Sequence, residues 1–169
     1  MNFGGAVTVM SSFAAIWWVV GTAAAGRGSL LTYLVGLATS AFLVVLGWRR
    51  SGHATAAPDV RRRRGRVVGI ASGVEGVIIL IAANVLTKIG RQDLIASVVA
   101  IIVGVHFLPL ARWFPAPIYY ATGALLVVVG LAGTAIQEPL ARILTVCAGA
   151  ASVLWLSCTV VLLQNRTRA

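Results

Sequence analysis

Six apolar stretches of about twenty residues each, parted by short polar breaks, leave this chain few ways to fold. They run over residues 4–25, 30–48, 67–87, 94–111, 118–136 and 140–163. A helix rises 1.5 Å per residue, so about 20 apolar residues cross the roughly 30 Å hydrocarbon core of a bilayer. Backbone N–H and C=O groups find no water there, and a helix satisfies them within one segment. The pattern therefore predicts an all-α polytopic membrane protein: six transmembrane helices in one bundle, a single domain over 1–169. A water-soluble fold is excluded by composition. The chain is 59% hydrophobic and 11% charged, against about 45–50% and 25% in soluble domains. A globule of this size keeps too much surface in water to hide the excess.

The breaks carry their own signals. Residues 26–29 form a tight turn in which Ser29 can cap the second helix. Asp93 is in place to cap the fourth. Pro115 and Pro117 stiffen the connector before the fifth. Glu138 and Pro139 open the sixth, because proline suits the first helical turn and an acid suits the positive end of the helix dipole. The first block reads as a retained helix and not a signal peptide: no basic residue precedes Arg27, and the apolar run exceeds a typical signal core. There is no room between blocks for an extramembrane domain, and no internal repeat is visible.

The longest break, 49–66, holds seven of the fourteen basic residues. With six spans, ten basic residues fall on the side of this loop and of both termini, and four on the other. Arginine excess marks the cytoplasmic face, which predicts a cytoplasmic loop and N-in, C-in topology. Trp48, Trp113 and Phe114 fall at the expected interfaces; the two Trp suit that level, with an apolar body and a polar N–H. A net charge of +10 on a folded basic face would suggest nucleic acid. Here the charge sits in one loop and singly at block ends, so no nucleic-acid partner is expected. Arg61, Arg62, Arg63, Arg64 and Arg66 also have the polybasic form that attracts anionic lipid headgroups.

Cys147 and Cys158 both lie in the sixth block. Eleven residues of helix separate them by about 16 Å, too far to bridge. They are expected as small buried side chains. Small residues recur at helical spacing: Gly69 and Gly73 with Ser72 and Gly76, then Gly130 and Gly133, then Ala148, Gly149, Ala151 and Ser152. Such faces let helices approach closely in lipid. Packing within the bundle is the plain reading, and contact between copies in a homo-oligomer the sharper one.

Signals for an enzyme are poor. The chain lacks the common metalloprotease, nucleophile-elbow and phosphate-loop motifs, and has no metal-spaced Cys/His set. No catalytic residue, metal or cofactor is expected. Two ionisable groups nevertheless lie inside spans, Glu75 and His106. Charges there are costly and face protein or water. Glu75 is nine residues after Arg66, about 13 Å in from that end, and His106 is six before Arg112, about 9 Å in. Their short connection makes helices three and four antiparallel neighbours, so the two groups can meet. Pro109 leaves the carbonyl of Val105 without its helical partner, loosening the turn that bears His106. Tyr119 and Tyr120 start the fifth helix near the same level. The expected polar cluster is Glu75, His106 and one of these tyrosines. It serves either as a proton or cation relay or as a structural set that holds helices three to five together. Asn84 and Thr87 lie near the far end of the third block, and Asn84, opposite Glu75 by helical angle, is expected to hydrogen-bond between helices.

The run Gly104-Val105-His106-Phe107-Leu108-Pro109-Leu110-Ala111, followed by Tyr119-Tyr120-Ala121-Thr122-Gly123, resembles a pattern in small uncharacterised bacterial integral membrane proteins. The resemblance implies a bacterial inner-membrane setting, which the Arg-over-Lys and Ala-rich composition also fits, and no activity. Two functions then stand open. One is a small transporter or channel-like protein built around Glu75 and His106. The other is a non-transporting accessory or scaffold subunit that binds lipid or a partner membrane protein. A membrane enzyme comes third.

Overall fold

The computed structural model describes residues 3–26, 28–50, 58–113 and 117–164. Within them, the backbone alone is described for Phe3, 58–61, Arg63, Arg64, Val67, Leu110 and Trp113. Six α-helices and no strand occur among the described residues: α1 Phe3–Ala24, α2 Leu30–Arg50, α3 Pro58–Lys88, α4 Ile95–Trp113, α5 Ile118–Ala135 and α6 Pro139–Gln164. All six are long and apolar enough to cross a membrane. The chain divides into two compact units, one of 1–55 with 147–169 and one of 56–146. Helix α6 gives its first turns to the second unit and the remainder to the first.

The first unit joins α1, α2 and the body of α6. Two residues past the end of α1 stands Gly26, whose φ of 62° lies in the left-handed region that glycine enters without penalty. Ser29 caps α2 as its position predicts, its Oγ accepting the N–H of Thr32 at 3.3 Å. The core is made of Val7, Met10, Ala14, Leu43, Leu154 and Leu162. Trp18 and Trp155 meet with ring centroids 5.3 Å apart, and each finds a partner for its N–H. Trp18 donates to the Thr32 carbonyl at 2.8 Å, and Trp155 to Ser40 Oγ at 3.0 Å. Gly36 makes room for this arrangement, since a Cβ there would stand 2.0 Å from Trp18 Cδ1. Both cysteines are free and buried. Cys158 lies 3.4 Å from Ser11 Oγ.

The second unit holds α3, α4, α5 and the start of α6. Two expectations change here. The polar break 49–66 is not a loop throughout. Helix α2 continues to Arg50 and α3 already begins at Pro58, so the run Arg61–Arg66 is helical. Arginine is a good helix former, and Pro58 suits a first helical position. Nor does Asp93 cap α4. A 3-10 turn, Gln92–Leu94, precedes that helix, the residue before the turn is Arg91, and no side chain caps it. The Asp93 carboxylate instead accepts from Arg142. Helix α4 runs through Pro109 to Trp113 without ending. Glu138 caps α6, its carboxylate accepting the N–H of Leu140 at 3.0 Å and that of Ala141.

Helices α4 and α5 touch backbone to backbone. A Cβ added at Gly104 would stand 2.7 Å from the Gly123 carbonyl oxygen, one at Gly123 2.6 Å from that of Gly104, and one at Gly130 2.7 Å from that of Ser97. Glycine is required at all three, because a carbonyl in a helix cannot swing away.

Candidate functional site

Among the side chains described on α3, those not exposed are Val68, Ala71, Glu75, Ile79, Ala82, Ala83 and Leu86. Apart from Ala83 they follow a three-four spacing, which draws a single seam along a helix. Glu75 sits in the middle of this seam and His106 sits on α4. Their side chains are 8% and 14% exposed, and His106 Nε2 lies 3.5 Å from Glu75 Oε2. A contact between a residue nine after Arg66 and one six before Arg112 is what an antiparallel α3–α4 pair gives. At 3.5 Å the two groups are an ion pair when the imidazole is protonated and a long polar contact when it is neutral.

The two tyrosines are placed differently. Tyr119 is buried and its ring lies against Phe107, centroids 6.0 Å apart. It thus packs on the residue next to His106. Tyr120 is 48% exposed. The structure brings together Glu75 and His106, sets Tyr119 one side chain away, and turns Tyr120 to the surface.

Asn84 and Thr87 do not bond between helices. Asn84 Nδ2 donates to the Leu80 carbonyl and Thr87 Oγ1 to that of Ala83, both at 2.8 Å, each within α3. Both residues are exposed. A polar side chain on a helix can always turn back to the carbonyl four residues earlier, and sequence alone does not say whether a neighbour is close enough to compete.

A second charged centre was not anticipated. Arg142, in the first turn of α6, is only 4% exposed. Its Nε and Nη2 donate to the Ile136 carbonyl at 2.9 and 2.6 Å, and its Nη1 pairs with Asp93. Arg91 Nε lies 3.5 Å from the other Asp93 oxygen. The arginine ties the entry of α6 to the entry of α4. The arginine is buried and all three of its nitrogens bond within the protein, so the centre reads as structural. The available signal was an acid at the entry of the fourth apolar block and an arginine at the entry of the sixth, which two alternating spans place at the same end.

Arg62 and Arg66 are exposed on the first turns of α3. Arg61, Arg63 and Arg64 lie outside the described side chains. Among the described residues no group of three or more His, Cys, Asp or Glu side chains is placed to hold a metal ion. Comparison of the chain with protein-family models, with curated proteins and with solved structures finds no match.

Proposed function

We propose that this chain is a small multi-pass membrane transporter or channel-like protein that handles a proton or a cation at Glu75 and His106. One observation supports this above others: the carboxylate and the imidazole face each other at 3.5 Å inside two apolar helices. Ionisable groups are rarely kept within spans unless they serve passage of an ion or hold helices together. A carboxylate and an imidazole can exchange a proton with each other, and together they present one acidic oxygen pair to a cation. His106 is the group that would hand a proton on, through its two ring nitrogens. Glu75 is the group that would pair with the cation.

The setting we propose is a bacterial inner membrane, with both termini and the Arg-rich start of α3 on the cytoplasmic side. The ten-to-four division of basic residues supports it. A tag beside Asp59 would then be shielded from an impermeant reagent on intact cells, and labelling there would reverse the orientation.

The reading is tested by purified protein in liposomes carrying an internal pH dye. An imposed potential should drive proton movement faster than in empty vesicles, and Glu75→Gln and His106→Ala should each reduce the rate at least tenfold. If the wild type equals empty vesicles, or both variants equal the wild type, the relay is lost. The second reading, an accessory or scaffold subunit, is favoured by a different observation. The face of α3 opposite Glu75 carries glycines with open space before them. Co-purification of a stoichiometric membrane partner, with no proton movement, would select it.

A further inference from the structure

The outer face of α3 has a composition unlike the remainder of the helix. At 100° per residue, Arg62, Arg66, Gly69, Gly73 and Gly76 fall within an arc of about 80°. All five are exposed, and a Cβ added at any of the three glycines would meet nothing within 4 Å. Glu75 lies roughly opposite. Leu80, on the same arc and 65% exposed, closes the lower end. Ile70 and Val77, also exposed, form a ridge along one side. The result is an open glycine strip, ridged along one side, with two guanidinium groups at its Arg66 end.

Its dimensions suit one occupant. Arg66 to Gly76 is ten residues, about 15 Å along the axis. One leaflet of the hydrocarbon core is also about 15 Å deep. Arg62 and Arg66 are one helical turn apart, about 6 Å between Cβ atoms, and both can reach one phosphate. We infer that this face of α3 seats one anionic phospholipid of the leaflet on the Arg66 side. Its phosphate sits between Arg62 and Arg66, and an acyl chain lies over Gly69, Gly73 and Gly76. Charge complementarity decides this occupant against a second copy of the chain. Two α3 helices packed along this face in one membrane run parallel, which sets one arginine pair against the other. The anionic headgroup neutralises the pair it meets. The inference is independent of the Glu75–His106 reading, since it uses the opposite face of the helix.

The experiment is a titration of the detergent-purified chain with dioleoyl phosphatidylglycerol and, separately, dioleoyl phosphatidylcholine, read as bound lipid by native mass spectrometry. The wild type should retain one phosphatidylglycerol tightly and show no matching site for phosphatidylcholine. Each arginine at a membrane surface is worth about fivefold in affinity for an anionic headgroup. The Arg62→Gln/Arg66→Gln variant should therefore bind about 25-fold more weakly. Gly73→Leu, which fills open space and should fold normally, should weaken retention several-fold with both arginines intact. Arg49→Gln, an exposed arginine outside α3, should leave it unchanged. Equal retention of the two lipids overturns the seat. So does loss on Arg49→Gln equal to that of the double variant, because the effect would then be one of overall charge. A dimer in the wild type that Gly73→Leu abolishes overturns it too, by showing that a second copy covers the face.

Discussion

Two sets of glycines in neighbouring helices show how little the motif itself decides. Gly69, Gly73 and Gly76 in α3 have open space before them, whereas Gly104, Gly123 and Gly130 have a carbonyl oxygen within 2.7 Å of any added Cβ. In sequence the first set is the better match to the Gly-x-x-x-Gly pattern of close helix contact. Yet it is the second, with spacings of seven residues or spread over two helices, that brings backbones together. Glycine only permits approach. What decides is whether the rest of the face offers something to pack. Around Gly123 and Gly130, Val127 lies against Gly104, and Phe107 and Ile101 of α4 lie against the two glycines. Around Gly73 the neighbours Ile70, Val74 and Val77 are all exposed.

The largest effect that could break this contrast is at Gly123. Alanine there meets the Gly104 carbonyl at a distance no real Cβ occupies, and neither helix can move without disturbing the other contacts along the seam. Overpacking costs about 1–3 kcal/mol even where side chains can adjust. With backbone on the opposing side the upper end or beyond is expected. Gly123→Ala should lower Tm in detergent by more than any other single methyl group added to the helices. A wild-type Tm would show that α4 and α5 are further apart than described.

Arg142 comes next. Its three donors close on the Ile136 carbonyl and the Asp93 carboxylate. Arg142→Ala frees that carbonyl and leaves the acid with only the exposed Arg91 beside it. Thermal unfolding should show a loss second only to Gly123→Ala, with Arg142→Lys recovering part of it. A lysine ammonium offers charge but cannot reproduce the fork that serves both partners. Equal losses for alanine and lysine would mean that fork geometry, and not charge, holds the α6 entry.

Glu75 and His106 sharpen the contrast from the other side of α3. They are the polar contact on the seam by which this helix meets α4. Polar contacts between membrane helices average about 0.6 kcal/mol and reach about 1.7 in double-mutant cycles. A cycle through Glu75→Gln, His106→Ala and both should return a coupling of that size. A coupling near zero would mean that the two groups do not support each other's burial, and their placement would then need a reason outside stability.

How much of this was legible beforehand follows from where the information lies. The six long apolar helices come from run length, which in a chain that crosses a bilayer is set by the bilayer's thickness. Their ends agree with the structure to within a few residues except at Pro58, where a polar run that reads as a loop is helical. Polarity says that a segment avoids lipid, and arginines extend a helix into water without difficulty. The meeting of Glu75 and His106 was foreseeable because depth along a helix is countable from its charged end. The Asp93–Arg142 pair escaped because Asp93 had a local explanation, as a helix cap, that was chemically sound and happened to lose to a stronger partner. Asn84 failed for a related reason. Its bond to Leu80 needs no neighbour at all, and the sequence around it does not reveal whether one is near.

The smallest effects belong to that outer face, and they are informative because they should be small. Asn84 is exposed and its amide is satisfied by its own helix. Gly73 has nothing before it. Surface changes away from such special features stay within about 0.5 kcal/mol, and Gly→Ala in a helix interior gains close to 1 kcal/mol through the backbone. Gly73→Ala should therefore hold or raise Tm while Gly123→Ala lowers it, although both add one methyl group to a long apolar helix. Asn84→Ala should leave Tm where it is. A clear loss in either outer-face variant would mean that another helix packs there, and the difference between the two glycine sets would then be one of partner and not of environment.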